Sequence, residues 1–178
     1  MKTPKFAGLG GKFLYPARTT VAAVVAMVAA RALGMPEYYW APVSAVIVVQ
    51  SDFGASLLVS WQRLAGTALG AALAAVAAES MGRSVIVYGC GVLCAGMLSV
   101  VLRLGRPANR FTAIAFTIVF LVQRNEPAWV VALHRFVEVA TGIVAGLLLS
   151  ALWPEPPAIN SQAQPVEASR SSTEPPPS

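Results

Sequence analysis

The chain has 178 residues, of which 56% are hydrophobic and only 12% are charged, whereas an ordinary soluble domain has about 25% charged residues. A chain this short cannot hold a soluble core large enough to explain the deficit, so the composition predicts an integral membrane protein. The net charge of +5 is spread among apolar segments and forms no basic helix face, which argues against nucleic-acid binding and favours basic loops at a membrane surface.

Six apolar segments follow one another, so we predict an all-α, polytopic membrane protein with about six transmembrane helices. Residues 1–17 form a basic, cytoplasmic lead-in, and residues 19–35 form the first span. Because other apolar segments follow at once, we expect this first run to be a retained span rather than a cleaved signal peptide. Pro36 ends it, since the residue before a proline avoids the helical region.

A predicted helical hairpin comes next, with residues 38–50 as a short second span and residues 56–78 as the third helix. Asp52 lies in the turn between them, where an aspartate commonly caps the following helix. The second span opens with three aromatic residues, which are expected to anchor it at the membrane–water boundary. These anchors are Tyr38, Tyr39 and Trp40.

Small residues recur every four positions in the third helix, and this spacing places them on one face. Such a face lets another helix backbone come close within a lipid bilayer. The stripe consists of Gly66, Gly70, Ala74 and Ala78. Arg63 and Thr67 share that face, so the sequence predicts one arginine at the mouth of a tightly packed helix.

The second half of the chain contains three more predicted spans, at residues 84–102, 111–123 and about 128–153. Cys90 and Cys94 lie in the fourth span without a Cys or His partner nearby, so we expect small packing residues rather than a zinc site or a disulfide framework. The six-helix membrane domain is thus assigned to residues 18–154. A tail rich in proline and serine, residues 155–178, is expected to be disordered because it lacks apolar residues to bury.

The basic residues and a weak internal repeat predict the topology. With the amino terminus inside, nine lysines and arginines fall on the cytoplasmic side and four on the other, which predicts two cytoplasmic termini. In each half a short span and a turn lead to an arginine, Arg63 or Arg135, and then to a threonine and two glycines. In the second half these glycines are Gly142 and Gly146, a second packing stripe. Two such halves in opposite orientation would form a 3+3 inverted repeat, as in many transporters.

At the level of whole segments, YYWAPVSAVIVVQ followed by QRLAGTALGA resembles the signature of the fusaric acid resistance protein-like (FUSC) or aromatic acid exporter membrane domain. HRFVEVATGIVAGLLLSALWP resembles the end of the same domain, so the likeness covers about residues 17–154. The resemblance implies a six-helix domain of the bacterial inner membrane that is associated with efflux of aromatic carboxylic acids. Larger members carry a long soluble domain and often a second membrane domain; this sequence has neither, and we expect two or more copies to pair.

Arg63 is the first candidate for substrate binding, because a guanidinium can hold a carboxylate with two parallel hydrogen bonds and remains charged in an apolar setting. The alternative is an arginine that only fixes topology at the cytoplasmic end of the helix. Thr67 and Arg135 are further candidates, although a helical threonine more often bonds its own backbone, as we also expect for Thr141.

His134 and Glu138 are the candidates for proton coupling, since either side chain could load and release a proton during export. Arg135 and Glu138 lie three residues apart, so they share a helix face and can pair. A self-satisfied Arg135–Glu138 pair that only holds the helix end is the alternative.

The sequence contains no nucleophile–base pair, no metal cluster and no phosphate-binding loop. We therefore predict neither an enzyme nor a bound cofactor or metal. The predicted function is proton-coupled efflux of aromatic or other small organic anions by a homo-oligomer in the lipid bilayer. The alternative is a non-transporting membrane subunit or scaffold that packs against a partner protein.

Overall fold

The computed structural model describes residues 9–50, 52–122 and 126–153, with side chains from Tyr15 onward. Six α-helices and no strand occur within these ranges, as the all-α prediction requires. The helices are α1 (Leu9–Ala32), α2 (Trp40–Val48), α3 (Phe53–Ser80), α4 (Val85–Val101), α5 (Arg106–Leu121) and α6 (Ala128–Leu152). Residues 1–8 and the predicted tail, residues 155–178, lie outside the described residues.

Two helices begin at least five residues earlier than predicted. α1 starts at Leu9 rather than at residue 19, because the basic residues that marked the lead-in lower hydropathy without breaking a helix. α5 starts at Arg106 rather than at Phe111. Gly105 precedes it with φ = 91°, and Pro107 occupies the first turn, where a proline costs no hydrogen bond.

The turn before α3 has the predicted cap. Asp52 is the N-cap residue of α3, and its Oδ2 accepts the backbone N–H of Ala55 at 2.9 Å. This bond satisfies one of the first amide groups of the helix, which have no partner within it.

Contacts of α6 define the directions of α1 and α3. Arg18 near the start of α1 bonds the carbonyl of Trp153 after the end of α6, so these two helices are antiparallel. Leu64, early in α3, packs on a cluster formed by Val48, Val139 and Ile143, whereas Val76, late in α3, lines a groove with Trp129 at the start of α6. α3 is therefore also antiparallel to α6.

Glycines of α3 lie directly against the backbone of α5. A Cβ added at Gly66 would lie 2.6 Å from the carbonyl oxygen of Ala108, and one at Gly70 would lie 2.1 Å from that of Thr112. Both distances are shorter than any van der Waals contact, so only glycine allows this approach. The two matched contacts also show that α3 and α5 run in the same direction.

Glycines of α6 make the corresponding approach to α2. A Cβ added at Gly142 would lie 2.1 Å from the carbonyl oxygen of Ala41, and one at Gly146 would lie 3.2 Å from that of Ala45. α6 and α2 are therefore parallel. Ala74 of α3 is fully buried in the same bundle, in a cluster with Phe116 and Phe120 of α5.

The direction of α4 follows from its contacts with α5. Gly91, early in α4, faces Phe116, late in α5, whereas Gly96 faces Asn109 near the start of α5. α4 is thus antiparallel to α5. Odd-numbered helices therefore run in one direction and even-numbered helices in the other.

Large apolar side chains lie mainly on the outside of this bundle, while alanines and several charged side chains lie inside. Fully or nearly fully buried charged groups include Arg18, Arg63, Arg135 and Glu138. Exposed large apolar side chains, each more than half exposed, include Val28, Leu58, Val76, Ile86, Leu93, Val101, Val144 and Leu148. A soluble protein has the opposite arrangement, because apolar side chains are more stable away from water and charged side chains are more stable in contact with it.

Helix length and composition alone identify one candidate span among the described residues. α6, with 25 residues, is long and apolar enough to cross a membrane, and α4 is apolar but has only 17 residues. Core helices of soluble proteins can pass the same test, so it does not establish six spans. α2 has only 9 residues, far fewer than the roughly 20 that a straight span requires.

The expectation that Cys90 and Cys94 are packing residues is wrong for this bundle. Both thiols are free and exposed, and they line a groove of about 390 Å³ between α3 and α4. Their four-residue spacing correctly places them on one face of α4, but the neighbouring helices do not cover that face. Spacing identifies a shared face and does not tell which face is buried.

Candidate functional site

Arg63 is buried and is the eleventh of the 28 residues of α3, so it lies well inside the helix rather than at its mouth. Its side chain is only 6% exposed, and its Nη2 donates a hydrogen bond to Ser44 Oγ of α2 at 3.0 Å. The guanidinium carbon lies 5.0 Å from the ring centroid of Phe111 on α5, which is a cation–π contact. Among the described residues, no carboxylate lies within ion-pair distance of Arg63.

Arg135 is also buried, but two carboxylates neutralise it. Nη2 lies 2.6 Å from Glu37 Oε2 and Nη1 lies 3.4 Å from Glu138 Oε2. Glu138 Oε1 in turn accepts the backbone N–H of Glu37 at 3.1 Å. The predicted Arg135–Glu138 pair is therefore present as part of a larger cluster that also fixes the turn between α1 and α2.

Arg63 and Arg135 each make a cation–π contact with an aromatic ring on a neighbouring helix. Arg135 of α6 lies over the ring of Trp40 at the start of α2, 4.2 Å from its centroid. Arg63 of α3 lies over Phe111 in the first half of α5. Each half of the chain thus supplies one arginine and one aromatic ring, and each arginine contacts the ring of the other half.

A small cavity of about 20 Å³ lies between the two arginines. It has room for about one water molecule or one ligand oxygen atom. Thr67, one turn after Arg63, also lines it, and no hydrogen bond involves the Thr67 hydroxyl among the described residues. By contrast, Thr141 bonds the carbonyl of Val137, as expected for a helical threonine.

His134 lies apart from the buried cluster. Its side chain is 39% exposed, and its Nδ1 lies 3.9 Å from Glu126 Oε2, which is itself largely exposed. A groove of about 320 Å³ between the α1–α2 turn and α6 is lined by both His134 and Glu138. This groove connects the surface with the edge of the Arg135 cluster.

The aromatic triplet divides into two parts. Tyr38 and Tyr39 are exposed, as an interface anchor requires, and Arg31 lies over the ring of Tyr38. Trp40 is half-buried and lies beneath Arg135. Trp40 is the first residue of α2, and the Trp40 ring contacts Arg135 of α6. Tyr38 and Tyr39 belong to the turn that precedes α2.

Arg18 forms a further buried contact that sequence reasoning assigned only to topology. It is 1% exposed and donates to the carbonyls of Trp153 and Gln50 and to Ser150 Oγ. These carbonyls lie at the C-terminal ends of α6 and α2, where a cation is favoured by the helix dipole. Arg18 thus joins α1, α2 and α6 at one end of the bundle.

Glu37 is the main site residue that the sequence analysis missed. It stands beside Pro36 in a predicted turn, where an acidic residue is usually solvated. One feature of the sequence could have indicated its role: Glu37 is a single carboxylate placed directly before the aromatic triplet that opens an apolar segment. Its partner Arg135 lies 98 positions away, so no local spacing could reveal the pair.

The buried guanidinium groups are chemically suited to holding an anion. Within the described ranges, no group of three His, Cys, Asp or Glu side chains could hold a metal ion. The buried guanidinium of Arg63 has its charge unbalanced by any near carboxylate, and a desolvated arginine forms strong, bidentate bonds with carboxylates. The geometry therefore defines a helical bundle with an internal cationic site.

Comparison with known proteins identifies the family of the chain. The model of the fusaric acid resistance protein-like family matches residues 24–149, which is most of the chain. The chain therefore belongs to the fusaric acid resistance protein-like family. It is also similar to YdhK of Salmonella typhimurium, described as an uncharacterized transporter, with 28% identity over 162 residues.

The match to YdhK covers 85% of this chain but only 24% of the relative, so the chain spans about a quarter of that protein's length. No solved structure matches the chain. The family and the description of the relative support a role in membrane transport, and they point to a transporter rather than an enzyme.

Proposed function

We propose that this protein exports small organic anions, with aromatic carboxylates as the main class, across the bacterial inner membrane. The observation that carries the proposal is the buried guanidinium of Arg63, which has no carboxylate partner among the described residues. A charged group of this kind inside a membrane domain is costly unless an anion or a functional role accounts for it. An organic carboxylate is the simplest ligand that would balance its charge.

We propose that all six helices lie in the membrane as a 3+3 inverted repeat. The alternating helix directions and the outward-facing apolar side chains support this arrangement. The two cation–π pairs, Arg63–Phe111 and Arg135–Trp40, are equivalent contacts, since each joins the third helix of one half to the second helix of the other. Contact between Arg18 and Trp153 supports termini on one side of the membrane, which the excess of basic residues assigns to the cytoplasm.

The substrate site in this proposal comprises Arg63, Thr67 and Arg135. At about 20 Å³, the cavity admits a single oxygen atom and not an aromatic ring. The proposal therefore requires helices that line the cavity to move apart before the ligand enters. Movement of one group of helices against another around a fixed site is the usual basis of alternating access in transporters built from inverted repeats.

We propose that Glu138 carries a coupling proton and that His134 gives it access to the surface. Both line the same groove, and Glu138 touches Arg135, so its protonation would change the charge beside the substrate site. A Glu138→Gln variant should then lose the dependence of export on the proton gradient. A His134→Gln variant should show the same change in weaker form, because water can also enter the groove.

The test measures accumulation of labelled 4-hydroxybenzoate in bacterial cells that lack their own exporters. Cells that express the wild-type chain should accumulate less label than empty cells, and collapse of the proton gradient should abolish the difference. Arg63→Ala and Arg63→Met should behave like empty cells although the protein is present in the membrane. Arg31→Ala is the matched control, because Arg31 is exposed and lies outside the site.

Normal export by both Arg63 variants would contradict the assignment of the anion site. Equal accumulation in cells with and without the wild-type chain, across a panel of aromatic acids, would contradict transport itself. That second outcome would favour a membrane scaffold, for which the apolar groove between α3 and α4 supplies a surface. Pairing of copies, which we also propose, is tested by cross-linking in membranes.

A further inference from the structure

Two buried hydrogen-bond donors beside the arginine cavity have no acceptor among the described residues. They are Nε of Arg63 and the indole Nε1 of Trp40. Both residues line the cavity of about 20 Å³. A buried indole N–H usually has an acceptor, because an unpaired buried donor lowers the stability of the fold. An unpaired donor at a cavity therefore points to a ligand that supplies the acceptor.

Three contacts hold these donors in position without a ligand. Ser44 Oγ accepts from Arg63 at 3.0 Å and donates to the carbonyl of Trp40 at 3.0 Å, so it links the two residues. The guanidinium of Arg135 lies over the indole ring, which holds the plane of the ring. A preorganised pair of donors binds an acceptor without the cost of ordering the side chains first.

We infer that Trp40 is a ligand-binding residue whose indole N–H, together with Arg63, binds the carboxylate of the transported anion. This inference rests on the proposed function. A carboxylate carries two oxygens that only accept hydrogen bonds, whereas the indole and the guanidinium only donate them. Arg63 supplies the charge, and Trp40 supplies a neutral donor of fixed direction. The cavity volume fits one carboxylate oxygen, with the rest of the ligand in space opened by helix movement.

The variant Trp40→Phe removes the N–H and keeps an aromatic face beneath Arg135. With the purified chain in detergent, calorimetry should show that benzoate binds about tenfold more weakly to Trp40→Phe than to wild type, the effect of one hydrogen bond to a charged group. Trp61→Phe is the matched control and should bind like wild type, because Trp61 is 63% exposed and lies outside the cavity. Arg63→Met should lose binding altogether.

A second measurement follows the indole proton directly, so it remains informative if Trp40→Phe fails to fold. In the NMR spectrum of a ¹⁵N-indole-labelled variant that lacks the other three tryptophans, acetate should shift the Trp40 N–H resonance downfield. Acetate has no ring, so a ring-current effect is excluded. An unchanged resonance, or wild-type benzoate affinity of Trp40→Phe, would overturn the role of Trp40 while leaving that of Arg63 intact. Absence of benzoate binding to the wild-type chain would overturn both.

Discussion

Substitution of Gly70 by alanine tests the close packing of α3 against α5. The added Cβ would lie 2.1 Å from the carbonyl oxygen of Thr112, whereas ordinary contact begins at 3.4 Å, so the atoms must move apart by about 1.3 Å. Backbone atoms on both sides cannot move aside as a flexible side chain could. Overpacking of this kind costs about 1–3 kcal/mol, against which alanine gains up to about 1 kcal/mol in helix propensity.

The free energy of unfolding of Gly70→Ala should therefore fall by about 1–2 kcal/mol. For a chain of this length, such a loss lowers the melting temperature by roughly 2–8 °C. The assay heats the detergent-solubilised protein and measures the fraction that remains monodisperse by size-exclusion chromatography.

Gly89→Ala is the matched control, since Gly89 also lies within a helix and its added Cβ would meet no atom within 4 Å. This variant should melt at or slightly above the wild-type temperature, because only the helix-propensity gain remains. Equal melting temperatures for Gly70→Ala and Gly89→Ala would refute the packing of α3 against α5.

Three other perturbations test separate parts of the bundle. Arg18→Ala leaves partly buried carbonyls at the ends of α2 and α6 without their donor. It should lower the melting temperature and raise amide hydrogen exchange of the last turn of α6. Glu138→Ala removes one carboxylate from the buried Arg135 cluster and should cost about 3–5 kcal/mol, seen as a large loss of folded protein, whereas Glu126→Ala at the surface should change little. Asp52→Ala should cost about 1 kcal/mol in melting assays, because α3 loses its N-cap, and Asp52→Asn should restore most of it.

Local sequence patterns predicted the helices and the faces that meet. Helix number, the Asp52 cap and the glycine stripe on α3 follow from hydropathy, capping preference and four-residue spacing, all of which act within one helix. The start of α1 was predicted ten residues too late, because a charged segment can be helical without being apolar. Hydropathy locates the apolar part of a helix and not its ends.

The composition of the site was only partly predictable. Arg63 and Thr67 could be assigned to the packed face because they share the period of Gly66 and Gly70. Glu37 and Trp40 belong to the site through contacts with Arg135, on a helix about 100 positions later in the chain. Such pairs depend on which helices become neighbours, and that information is absent from the spacing within any one segment.

The most direct test of the account measures anion flux through the purified protein alone. Proteoliposomes loaded with labelled benzoate at pH 8, where the acid is ionised and crosses lipid slowly, are diluted into benzoate-free buffer. The account predicts that wild-type protein releases the label well above the rate of protein-free vesicles and that Arg63→Met releases it at the protein-free rate. Equal release by the wild type and Arg63→Met would contradict the claim that this buried arginine binds the transported anion.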